Sequence, residues 1–174
     1  GIEDFTALER LHCEENQLTS LDVSQNTALE HLFCFSNQIT TLDVSANNSL
    51  LILQCQYNQL TSLNVIGANA LYSLSCHNNL LTSLNLSGFT ALEALDCAFN
   101  QLTSLNVTGC SVLYFVECLY NQITSLDFST NTALTSLRCQ SNQLTSLDLR
   151  NGNNTSFTLF NSYVNPNLYC IDVD

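Results

Sequence analysis

Residues 8–28 read LERLHCEENQLTSLDVSQNTA, and residues 29–49 read LEHLFCFSNQITTLDVSANNS. The second stretch repeats the first at an offset of 21, with Leu, Leu, Cys, Asn and the closing Leu-Asp-Val in the same places. The register then runs on through the chain. Seven cysteines keep it: Cys13, Cys34, Cys55, Cys76, Cys97, Cys118 and Cys139. Three positions after each stands an asparagine: Asn16, Asn37, Asn58, Asn79, Asn100, Asn121 and Asn142. Leu8, Leu29, Leu50, Leu71, Leu92, Leu113 and Leu134 open the units. A period of this length is the mark of stacked repeats, each too small to bury its own apolar face.

Around Cys13, the apolar Leu11 and Cys13 alternate with His12 and Glu14. Period two is the pattern of a strand with one buried face. Stacking such strands at about 4.8 Å gives a parallel sheet over one continuous core. Leu18, Leu21 and Val23 then point inward from the opposite wall. The segment 18–28 is too short and too rich in Thr, Val, Ser and Asn for a helix. A second short strand or extended segment is expected there. The invariant Asn is expected to bond backbone groups of its own and the neighbouring turn, which a tight turn otherwise leaves buried and unmet.

The consensus L-x-x-L-x-C-x-x-N-x-L resembles the signature of leucine-rich repeats, with Cys in place of the third Leu. The full unit, with its L-T-S-L-D-V half, is similar to the short repeats of secreted bacterial surface proteins. The ending Asn165–Asp174 resembles the segment that closes such arrays. The resemblance covers residues 8–174. It implies a mostly β, leucine-rich repeat solenoid, a right-handed superhelix with a parallel concave sheet and an extended or short-strand convex side. Residues 1–7 align with the end of a preceding repeat, 8–154 form seven repeats, and 155–174 are expected to cap the C-terminal end. Strict counting places Phe160 at the next Cys position. More protein is expected before Gly1, because the chain enters in mid-repeat.

Composition narrows the function. Of 174 residues, 45 % are hydrophobic, enough for a sizeable core, and only 10 % are charged. The net charge is −12, with Arg10, Arg138 and Arg150 as the only basic side chains besides histidine. Phosphate recognition needs a dense positive surface, so nucleic acid is not an expected partner. No stretch is long and apolar enough for membrane insertion.

In-register cysteines should sit about 4.8 Å apart, too far for a disulfide, and read as buried free thiols. Cys110 falls at the convex turn position of Asn26, Asn47 and Asn131, and Cys170 in the cap, about three repeats away. Asp22, Asp43, Asn64, Asn85, Asn106, Asp127 and Asp148 form a polar row that reads as solvated or backbone-bonding. Asp22, Asp43, Asp127 and Asp148 are the weak candidates for adventitious calcium, short of oxygen ligands. The Thr19-to-Thr145 row reads as β-propensity and hydroxyl-to-backbone bonding, with ice binding as the remote alternative. No catalytic motif, metal-ligand spacing or cofactor loop is found, and no cofactor is expected. The carboxylate pair Asp96 and Glu117 implies no cleft.

Individuality lies in the outward strand positions. One cluster holds Arg10, His12, His31, Phe33, Phe35 and Tyr57. A second holds Phe99, Phe115, Glu117, Leu119, Tyr120 and Arg138. Aromatics beside Arg are the composition of interface hot spots. The plain alternative is cross-rung packing without a ligand. The sequence therefore points to a non-catalytic, secreted or cell-surface module that binds a protein, peptide or glycan on its concave sheet. The rival reading is a structural spacer or adhesion stalk attached to an enzyme domain.

Overall fold

The computed structural model describes residues 1–174. Eight three-residue strands form one parallel sheet in this order: Arg10–His12, His31–Phe33, Ile52–Gln54, Ser73–Ser75, Ala94–Asp96, Phe115–Glu117, Ser136–Arg138 and Leu159–Asn161. Each strand belongs to one turn of the solenoid, here called rungs one to eight. The pairing register advances by one repeat at a time: Arg10 faces His31, Phe33 faces Gln54, and Asp96 faces Glu117.

The opposite wall also carries short parallel strands. Thr41–Asp43 pairs with Ser62–Asn64, and Ser83–Asn85 with Ser104–Asn106. Ser125–Asp127, Ser146–Asp148 and Cys170–Asp172 form a three-stranded sheet. Helix is confined to two 3-10 turns, Ile2–Asp4 and Asn154–Ser156. An unbroken ladder on one wall and an interrupted one on the other is what curvature towards the unbroken wall produces. The eight-stranded wall is therefore the concave one.

Between the walls lies a single core. The middle leucines of the concave strands (Leu32, Leu53, Leu74, Leu95) and the Cys34-to-Cys139 row meet Ile39, Leu60, Leu81 and Val44 from the other side, all essentially solvent-free. Burying each aliphatic side chain of this size contributes roughly 1.5–3 kcal/mol before chain ordering is counted. All nine cysteines are free; seven are buried, Cys13 is partly buried and Cys170 is exposed. Burial drives the ladder thiols away from ionisation, pushing Cys34 and Cys139 up to about 12 and Cys55, Cys97 and Cys118 well above the ordinary thiol range.

The invariant asparagines hold the turns. Asn79 Nδ2 donates to the carbonyls of Cys55 and Cys76 at 3.1 and 3.0 Å, while its Oδ1 accepts the Leu60 N–H at 2.9 Å. Asn37, Asn58, Asn100, Asn121 and Asn142 repeat this pattern. Each thus ties its own rung to the preceding one.

Rung eight departs from strict counting. The step from rung seven is 23 residues, so Phe160 pairs with Leu137 and takes the leucine place rather than the cysteine place. Two extra residues are absorbed around the 3-10 turn Asn154–Ser156. The asparagine ladder gains an eighth member by the same shift: Asn165 donates to the Cys139 carbonyl at 3.1 Å and accepts the Leu144 N–H at 3.0 Å.

Candidate binding surface

Strand alternation places four rows of variable residues along the concave wall. The first runs from Arg10 through His31 to Phe115 and Ser136, the second from His12 through Phe33 to Glu117 and Arg138. The third contains Glu14, Phe35, Gln56, His77, Ala98, Leu119 and Gln140. The fourth lines the rim with Glu15, Ser36, Tyr57, Asn78, Phe99, Tyr120 and Ser141. The rim residues all adopt the left-handed conformation, with φ between 51° and 57°. Only Asn78 is at home there. For Tyr57, Phe99 and Tyr120 the cost is about 1–2 kcal/mol per residue.

Contacts join some members of each sequence cluster. In the first, His12 stacks on Phe33 with ring centroids 4.5 Å apart, and His31 lies nearly parallel to Phe33 at 6.3 Å. Tyr57 meets His77 edge-on at 5.0 Å. Glu14 bonds His12 Nδ1 at 3.2 Å. That bond, after a backbone hydrogen bond, holds the Glu14 carboxyl below its ordinary range. Arg10 is exposed, while Phe33 and Phe35 are half-buried rather than free. In the second, Phe99 stacks on Tyr120 at 4.6 Å. Arg138 donates to Glu117 at 2.7 Å across one rung, with half-buried Phe115 on one side of that row and half-buried Leu119 on the other, towards the rim. The pair is partly solvated, so its own contribution to stability is at most about 1 kcal/mol.

The two clusters are joined by a flatter stretch in rungs four and five, floored by Ser73, Ser75, Ala94 and Ala98. Asp96 sits on that floor, and burial raises its carboxyl above the ordinary aspartate range. Its Oδ1 accepts the Ala98 N–H at 3.1 Å, and His77 Nε2 stands 3.7 Å from Oδ2. His77 Nδ1 lies 2.8 Å from the Asn78 amide nitrogen. Both ring nitrogens thus face groups other than Ser75, so the neighbouring Ser75, His77 and Asp96 do not form a nucleophile–base pair.

On the concave wall, unmet hydrogen-bonding capacity lies towards the two ends. Five concave-side atoms are shut off from solvent without a partner: Glu14 Oε2, His31 Nδ1, Gln56 Oε1, Arg138 Nε and Gln140 Oε1. The first three belong to rungs one to three and the last two to rung seven. None lies on the flat stretch between.

The convex Asp/Asn and Thr rows spend their side chains on backbone, whereas Asn26, Asn47 and Asn131 of the convex turn each leave Oδ1 unpartnered. Asp22, Asp43 and Asp127 each accept the backbone N–H two residues on, as do Asn64, Asn85 and Asn106. Asp148 does the same and is paired with Arg150, which brings its carboxyl down to about 2. The four aspartates considered for calcium thus spend an oxygen each on a turn. Thr61, Thr103 and Thr145 donate their hydroxyls to the carbonyl of the Thr one repeat earlier. Cys110 is buried in the convex turn, its thiol 3.1 Å from the Leu86 carbonyl.

Several surface residues escaped the sequence reading. Tyr72 and Tyr114, 38 % and 47 % exposed, stand at the opposite rim, one residue before the first outward row. Their separation of two repeats was the available signal. Leu159, Asn161 and Tyr163 extend the surface into rung eight, with the Ser141 N–H bonded to the Tyr163 carbonyl. Aligning on Asn165 instead of counting by 21 reveals them.

The chain is a leucine-rich-repeat solenoid of the short, helix-poor kind. Solved bacterial structures share that architecture. The functional domain of InlJ from Listeria monocytogenes, which includes a cysteine ladder, is 30 % identical, with a TM-score of 0.72; the match covers 99 % of this chain and 47 % of that one. A leucine-rich-repeat protein from Leptospira interrogans matches at 23 % identity and a TM-score of 0.81, over 99 % of this chain and 50 % of the other. YopM from Yersinia enterocolitica matches at 21 % and 0.73, over 96 % and 42 %. This chain spans about half the length of those it resembles. No family model and no curated protein sequence matches it.

Proposed function

We propose that this chain is a non-catalytic binding module that grips a protein partner across its concave sheet at two points, one in rungs one to three and one in rungs five to eight. The observation that carries the reading is the coincidence of the aromatic clusters with the buried, unpartnered polar atoms beside them. A buried polar atom without a partner costs roughly 1–3 kcal/mol, which a ligand that bonds it recovers. Ring orientation favours a protein over a glycan. His12 and Phe33, and likewise Phe99 and Tyr120, turn their faces towards each other along the solenoid. Their edges are then what a ligand meets, whereas stacking on a sugar needs an open face. The likeness of the repeat to those of secreted bacterial surface proteins supports a place outside the cell. Burial of the thiol ladder suits that setting, because sealed thiols resist oxidation and exchange.

Peptides selected from a random display library against the folded chain test the reading. Binding is expected to fall by about two orders of magnitude or more in a Phe33→Ser, Phe115→Ser variant, the loss of two hot spots. It should be unchanged in a Thr61→Val, Thr103→Val convex variant, both proteins being checked for an intact melting transition. Loss in the convex variant alone would refute the proposal.

A further inference from the structure

We infer that rung seven carries a subsite for a peptide amide group, formed by Gln140 and Arg138. The inference rests on the concave-face reading and adds to it the chemical group recognised. Gln140 lies two residues beyond Arg138, the last residue of the Ser136–Arg138 strand, with the buried Cys139 between them. It is 95 % buried, with only 5 % of its surface exposed. Its Oε1 is shut off from solvent with nothing to accept from. Arg138 spends its NH1 on Glu117 at 2.7 Å, which fixes the guanidinium, and leaves its Nε–H buried without an acceptor.

The two orphans have opposite senses: Gln140 needs a donor and Arg138 needs an acceptor. One amide supplies both, with its N–H to Gln140 Oε1 and its C=O to Arg138 Nε. Leu119 on the preceding rung and the exposed Tyr163 on the next give apolar walls for the side chains flanking that amide. Both polar atoms lie beneath neighbouring side chains, so the ligand reaches them after a rotamer change at the wall, a picosecond-to-nanosecond event for exposed groups. Such a pair has no use in the unbound fold. Replacing Gln140 by Leu removes a buried acceptor at nearly constant shape, which should not destabilise the chain.

The test uses the whole folded chain, isotopically labelled, and two probes: N-acetyl-leucine N-methylamide and methyl β-glucoside. The Arg138 Nε–H and Gln140 side-chain amide signals are followed by NMR, assigned through Arg138→Lys and Gln140→Leu. The diamide is expected to shift both signals saturably and the glucoside to leave them in place. In Gln140→Leu the diamide's apparent affinity should fall by about tenfold, the loss of a net hydrogen bond, while the melting temperature stays level or rises. Shifts elsewhere on the concave sheet, with these two signals unmoved, would overturn the subsite and leave the two-point reading standing. Shifts from the glucoside alone, or a lowered melting temperature in Gln140→Leu, would overturn it as well.

Discussion

Two asparagine ladders run through this solenoid, and one tolerates no substitution while the other tolerates several. The row from Asn16 to Asn142 is unbroken, and Asn165 extends it. The convex row has Asn26, Asn47 and Asn131, but Ala68, Phe89 and Cys110 between them. Apart from the exposed Asn16 at the open end, both sets of side chains are buried and both donate to carbonyls of the previous rung. The difference lies in what those carbonyls have otherwise. Val23 and Asn26 carbonyls, which receive Asn47 Nδ2, already accept backbone N–H groups from Asn26 and Leu29. Asn47 Oδ1 accepts nothing at all. In the unbroken row, the Leu60 N–H has no acceptor but Asn79 Oδ1, and the Cys55 and Cys76 carbonyls accept only from ladder asparagines, Asn79 being one of two for each. A side chain that alone satisfies buried backbone is locked by physics, and one that adds a second bond is free to vary.

The largest effect should come from breaking the locked row. Asn79→Ala strands the buried Leu60 N–H and takes one of two donors from each of two carbonyls, and is expected to lower the unfolding free energy by about 1–3 kcal/mol in urea titration. Asn47→Ala copies what Ala68 does naturally and should cost about 1 kcal/mol or less. Equal losses at the two sites would erase the distinction.

The thiol ladder offers an intermediate case. Cys55 sits fully buried with its Sγ 3.6 Å from the Ser75 carbonyl, a weak bond. Cys55→Ser puts a hydroxyl of stronger polarity in the same apolar place and should cost about 1–2 kcal/mol. Cys55→Ala should cost no more than that, if packing rather than hydrogen bonding is what the sulfur supplies.

The smallest effect concerns the flat stretch of the concave wall. Burial raises the Asp96 carboxyl, so ionisation there opposes folding. The cost is absent below the unfolded-state pKa, where the group is protonated in both states, and is fully present above the raised folded value. Asp96→Asn keeps an acceptor for the Ala98 N–H. It is expected to raise the melting temperature at pH 7 by about 1–3 °C and to leave it unchanged near pH 2.5.

Most of the fold was legible because repetition multiplies weak signals. A single Leu-x-Cys alternation is ambiguous; seven in register are not. The helix-free convex wall followed from Thr and Ser at every unit. The rung-eight surface was hidden by two inserted residues, which moved Phe160 from the expected cysteine place to the leucine place. Tyr163 then fell out of the outward rows. The clusters were visible as residue types, but their half-burial was not, since it depends on how Phe33 leans on His12 and Phe115 on its neighbours. The orphaned Gln140 and Arg138 atoms were beyond reach, because whether a polar side chain finds a partner is a matter of geometry rather than composition.

Hydrogen–deuterium exchange on the chain bound to one of the display-selected peptides bears most directly on where this solenoid is used. Protection is predicted at residues 31–35 and 115–119 together, extending to 136–140, with the convex segments 41–43, 62–64 and 104–106 unchanged. Protection confined to those convex segments would contradict the concave wall as the working surface.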